Sequence, residues 1–157
     1  MIQRIQSLFL ALVAILMSAF LFVNIWNKSN ISTQEEVSLN AYSLNYTKAG
    51  VVILENSVVW LAILAFIIIA FSIFSLFSFK KRMLQLQLGL VNAILIAALL
   101  GFIVYYSFKG NDLITNSEKG TFGPGLIIPS VCLILNNLAN RFIRKDENLV
   151  KSADRIR

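Results

Sequence analysis

Four apolar stretches, at residues 8–26, 57–79, 88–108 and 122–143, contain no Asp, Glu, Lys or His, and the only Arg among them is Arg141, near the end of the last. A hydrocarbon core about 30 Å thick is crossed by roughly 20 residues of helix at 1.5 Å each. Each stretch has about that length. The expected fold class is therefore an all-α membrane protein, an antiparallel four-helix transmembrane bundle. With 57% hydrophobic and 14% charged residues, a soluble chain of this size would have more apolar surface than it can enclose. The spans make one membrane domain over residues 1–143, followed by a basic amphipathic tail over 144–157.

The first stretch follows Arg4 and contains the small residues Ser18 and Ala19, as a signal peptide would. Its apolar run continues past them to Trp26 and lacks a small-x-small end, so it reads as a span. The single cysteine, Cys132, lies inside the fourth stretch, which excludes an internal disulfide and a zinc framework. There is no histidine, so the commonest metal ligand and general base is missing. No cofactor-binding motif is visible.

Basic residues set the orientation. Arg4, then Lys80, Lys81 and Arg82, then Arg141, Arg144, Lys145, Lys151, Arg155 and Arg157 fall on one side of the four spans; Lys28, Lys48, Lys109 and Lys119 fall on the other. By the positive-inside rule both termini and the central turn are cytoplasmic. Trp26, Trp60, Tyr105 and Tyr106 mark the outer ends of the spans, where amphipathic rings prefer to sit. The net charge of +6 thus reflects topology first. Anionic lipid headgroups are the expected partner of the basic side, and nucleic acid is disfavoured because no recognition module accompanies the charge.

Within the third span Gly89, Ala93, Ala97 and Gly101 recur every four residues. Such a small-residue stripe lets a second helix approach closely, whether from this bundle or from another protein. The fourth span opens with Gly123, Pro124 and Gly125, carries Pro129, which is expected to kink it, and brings Asn136, Asn137 and Asn140 to its inner half. Asn136 and Asn140 share a face, either as interhelical hydrogen-bonding groups or as a polar site beside Arg141 and Arg144. In the first outer loop, Val37, Leu39, Ala41, Leu44 and Tyr46 alternate before Lys48 to Gly50, and Val51 to Leu54 follow. This pattern fits two short strands forming a hairpin. The tail continues as a short amphipathic helix, in which Arg141, Arg144, Lys145, Leu149, Lys151 and Arg155 would dock on lipid or on a protein groove.

The two end segments, MIQRIQSLFL and LANRFIRKDENLVKSADRIR, resemble those of a Bacteroidota family of small four-span membrane proteins, domain of unknown function 4293. The resemblance implies an inner-membrane location. It implies no activity and carries over no catalytic residue.

The leading expectation is a non-catalytic inner-membrane accessory or assembly subunit, which packs on a membrane-protein partner or on a second copy and docks through its tail. The alternative is a transporter or channel component for a small or lipid-like solute, with its site at Asn136 and Asn140. Coupled transporters normally hold ionisable residues within the membrane, and the interiors of these four spans lack them. An intramembrane enzyme is third, because Glu35, Glu36 and Glu55 lie in the outer loop without a partner geometry.

Overall fold

The apolar runs become helices, although the first does so for only part of its length. The computed structural model describes residues 2–30, 32–78, 81–114 and 120–154, with side chains from Ile5 to Leu149. Four helices, α1 (Ile2–Phe20), α2 (Trp60–Phe77), α3 (Arg82–Asn111) and α4 (Pro124–Asp154), pack antiparallel in a ring, each against two neighbours. Across the end where α1 and α3 finish lies a five-stranded antiparallel sheet of β1 (Trp26–Asn30), β2 (Glu35–Leu39), β3 (Ser43–Lys48), β4 (Val51–Ser57) and β5 (Thr121–Phe122). Their order is β4-β3-β2-β1-β5.

The all-α expectation is therefore corrected, since the chain is a helical bundle capped by a sheet. The expected hairpin exists as β3 and β4, where Lys48 pairs with Val51 across Ala49 and Gly50. Both turn residues have positive φ, 50° and 79°, the signature of a two-residue type I′ turn. β1 and β5 were not expected, and the alternation from Val37 to Tyr46, expected to form one strand, is divided between β2 and β3. Polar residues such as Asn27, Ser29 and Glu36 dilute the alternation of β1 and β2, which only Trp26, Lys28, Val37 and Leu39 carry inward.

α2, α3 and α4 are long and apolar enough to cross a membrane, whereas the described apolar part of α1, Ile5–Phe20, is shorter. The run predicted to extend to residue 26 leaves the helix after Phe20 through i−3 hydrogen bonds from Leu21, Phe22 and Val23. Ile25 then donates to the Leu39 carbonyl at 2.9 Å, and Trp26 is the first residue of β1. Leu21, Ile25 and Trp26 are buried beneath the sheet, because a short apolar run suits a buried strand as well as a helix. Trp26 is thus a core residue, and its expected place at a lipid interface is corrected. Trp60 and Tyr105 remain exposed, and Tyr106 is half-buried.

The core runs continuously from the helices into the sheet, through Met17, Phe20, Leu61, Ile96 and Ile103 to Val37, Leu39 and Leu44. α2 presents Phe66, Phe74 and Phe77 outward, which suits a lipid-facing wall. α4 passes through Pro129 as one helix and carries on to Asp154, so the expected tail helix is its continuation.

Candidate functional site

Polar side chains collect in the half of the bundle away from the sheet, and α4 carries them outward into a basic groove. Helix periodicity places Ser72 of α2, Gly89 and Asn92 of α3, and Asn136 of α4 on buried faces. Asn92 Nδ2 donates to Ser72 Oγ at 2.9 Å and to Asn136 Oδ1 at 3.4 Å; Asn136 Nδ2 donates to the Gly89 carbonyl at 2.8 Å. Three helices are therefore tied together by amides within an apolar surround. A methyl group on Gly89 would overlap the Asn140 carboxamide, so only glycine lets that side chain lie against α3.

The network is incomplete. The buried atoms Gln6 Nε2, Ser75 Oγ, Asn92 Oδ1 and Asn140 Oδ1 have no hydrogen-bond partner among the described residues. Buried polar atoms are usually paired, with protein or with ordered water, and these four collect at the same end of the bundle.

Asn140 stands between this network and the surface. With Leu90, Asn137, Arg141 and Arg144 it lines a cavity of about 350 Å³. A second cavity of about 500 Å³ is formed by Arg141, Arg144, Lys145, Asn148 and Leu149. The two share both arginines, which makes one groove with three cations and no carboxylate in its lining. Asp146 is turned away to Arg82, whose Nη2 reaches its Oδ2 at 3.2 Å and whose Nη1 donates to its main-chain oxygen at 3.3 Å. That pair joins the start of α3 to α4 beyond the apolar core.

The model of the family described as a domain of unknown function, DUF4293, matches residues 2–156. The chain belongs to the DUF4293 family. No curated protein matches it.

Of the residues expected to form a site in this DUF4293 protein, Asn136 and Asn140 are buried together, while Asn137 lies on the rim and donates back to the Leu133 carbonyl at 3.0 Å. Arg141, Arg144, Lys145 and Leu149 share the groove. Lys151 belongs to α4, with its side chain outside the described region, and Arg155 lies outside the described residues. The small-residue stripe does not stay in the bundle. Gly89 is buried and Ala93 half-buried, but Ala97 and Gly101 face outward, and nothing lies within 4 Å of where a Gly101 Cβ would be. A four-residue repeat precesses around a 3.6-residue helix, so a stripe that starts inside rotates out along its length. Gln85, Asn92, Ile96, Leu99 and Ile103 form the face that packs inside.

At the sheet end the DUF4293 chain buries Lys28, which is 4% exposed. Its ammonium donates to the Asn111 carbonyl at 3.2 Å, to Asn111 Oδ1 at 3.0 Å and to the Ile114 carbonyl at 2.9 Å. It thus meets the negative end of the α3 dipole. Lys28 was counted in the sequence only as an outer charge; its one signal is an inward position in the alternation of β1. Glu35 pairs with Lys48 across β2 and β3, Oε1 to Nζ at 2.9 Å. The Lys48 hydrogen bond holds the Glu35 carboxyl below its usual range and raises the Lys48 ammonium in turn. Glu36 faces Thr47 and Glu55 faces Asn45 in the same sheet, so the three outer carboxylates are divided among different cross-strand pairs. Among the described residues no group of His, Cys, Asp and Glu is arranged to hold a metal.

Proposed function

We propose that this protein is a non-catalytic integral subunit of the bacterial inner membrane, crossing it four times with both termini inside, which packs on a membrane partner and docks through its basic cytoplasmic end. The observation that carries this reading is the groove of Arg141, Arg144 and Lys145, lined by no carboxylate, on a helix that runs unbroken to Asp154. Positive charge on a cytoplasmic helix extension suits an acidic protein surface or anionic lipid. Ile5–Phe20, with the buried turn that follows it, completes the first crossing at the sheet end.

Purification in a mild detergent tests the proposal. One partner of fixed stoichiometry should accompany the wild type and be lost with Leu149→Glu. A partner-free monomer, equally abundant in cells with and without residues 144–157, overturns it.

A second reading, passage of a small polar solute, is favoured by one observation, the unpartnered amide oxygens of Asn92 and Asn140. Solute flux into liposomes, with Asn136→Leu as the control, decides that reading.

A further inference from the structure

We infer that the groove between α3 and α4 binds one anionic phospholipid of the cytoplasmic leaflet, its phosphate held at Arg141 and Arg144 and an acyl chain laid over Ala97 and Gly101. The inference rests on the membrane-embedded reading above and adds a ligand to it.

Three observations meet here. The first is chemical. The headgroup end of the groove carries two guanidinium groups, which match phosphate oxygens in bidentate fashion, and no carboxylate lines it. Asn140, 6% exposed, forms part of the same wall, and its amide nitrogen is a donor from which a phosphate oxygen can accept.

The second is geometric. At 100° per residue Leu90, Ala97 and Gly101 lie on one flank of α3, as do Val104 and Phe108 farther along. Leu90 lines one cavity with Asn137 and Arg141 of α4, and Val104 and Phe108 line a separate apolar cavity with Leu126 of α4. Ala97 and Gly101, both exposed, stand on that flank between the two cavities, and the proposed trough runs over them. Nothing lies within 4 Å of where a Gly101 Cβ would be.

The third is a matter of length. From Leu90 to Gly101 is about 16 Å along the helix, close to half of a hydrocarbon core about 30 Å thick. That is the reach of one leaflet's acyl chain. The trough is cationic at one end and apolar at the other, in the polarity of an inner-leaflet lipid, whereas a partner helix would need no phosphate site at its margin.

The test uses the full chain, extracted from membranes in mild detergent and examined by native mass spectrometry. The wild type should retain one phosphatidylglycerol or cardiolipin when either is supplied in mixed micelles, and phosphatidylcholine should not replace it. Each basic residue beside an anionic surface is worth a factor of about five in affinity, so Arg141→Gln with Arg144→Gln should reduce retention roughly 30-fold at unchanged helicity. Ala97→Phe, which fills the trough and leaves the charges in place, should also lose the lipid. Equal retention by either variant, equal binding of phosphatidylcholine, or displacement by millimolar inorganic phosphate alone overturns the inference. Capture of a protein partner is scored in the same preparations, so loss of lipid and loss of partner are read separately. A chain found outside the membrane fraction would fail the broader reading first.

Discussion

The side-chain amide of Asn136 donates to the main-chain carbonyl of Gly89 at 2.8 Å, and the Asn140 carboxamide one turn on lies where a Gly89 side chain would be. α3 and α4 therefore meet backbone to side chain at this level. The contact depends on an absent methyl group as much as on a present amide.

Gly89→Ala should destabilise the protein by about 1–3 kcal/mol, the usual cost of overpacking a closed contact. Gly101→Ala should be neutral or stabilising by up to about 1 kcal/mol, because helix propensity favours alanine and the site is open. Thermal unfolding in detergent, followed by circular dichroism, compares them. Equal losses at both positions would refute the distinction between the inner and outer halves of the stripe.

Lys28→Met keeps the length of the side chain and removes the donor of three hydrogen bonds at the end of α3. Each bond to a charged group is worth about 1.5–3 kcal/mol, and the acceptors left behind are partly buried. The expected result is faster amide hydrogen exchange in β1 and the last turn of α3, with the Asn92 and Asn136 region unchanged. Uniform loosening of the whole chain would place the lysine's role elsewhere.

The Glu35–Lys48 pair predicts a pH window for the sheet. Glu35 is depressed from an ordinary value of 4.5, so its contribution is complete above that value and lost as pH falls through the lower folded one. Lys48 is raised from 10.5, so its contribution is complete below that value and lost as pH rises through the higher one. Protection of the β2–β3 amides should stay flat between those limits and fall on both sides. Lys48→Met should remove most of the acid-side fall, and a variant profile identical to the wild type would assign that fall to another group.

Topology is tested by single cysteines in a Cys132→Ala background. A membrane-impermeant maleimide should label Ser32→Cys in spheroplasts and Asn148→Cys only after permeabilisation. The reverse order would invert the orientation, and labelling of both from outside would remove a crossing.

What the sequence made legible follows from how each signal is encoded. α2, α3 and α4 were visible because a charge-free run of about 20 residues has one solution in lipid. The β3–β4 turn was visible because Gly50 sits between two apolar runs. The end of α1 was not: Leu21 to Trp26 carry no charge to mark a boundary, and only pairing with Leu39, far along the chain, makes Trp26 the first residue of a strand. The groove was half visible. Arg141, Arg144 and Lys145 stand in plain order, but that Asp146 is withdrawn to Arg82 depends on the relative rotation of two helices. The outward turn of Ala97 and Gly101 was available from the difference between a four-residue repeat and a 3.6-residue helix. The pairing of Asn92 with Ser72 was not, since it needs the neighbour order in the ring.

The pairing of β1 with β5 bears on the order in which the chain can be made. Trp26 and Asn27 pair with Phe122 and Thr121, Gly123 donates to the Ile25 carbonyl and Gly125 to that of Asn24, and Gly120 lies against the Trp26 ring. One side of this closure is synthesised right after the first helix, the other just before the last. β2, β3 and β4 precede the last three helices in the chain, but the second edge of β1 has no partner until Phe122, 96 residues beyond Trp26. The closure therefore ties the chain just after its first helix to the chain just before its last, and the sheet is complete only once residues 121 and 122 have been added.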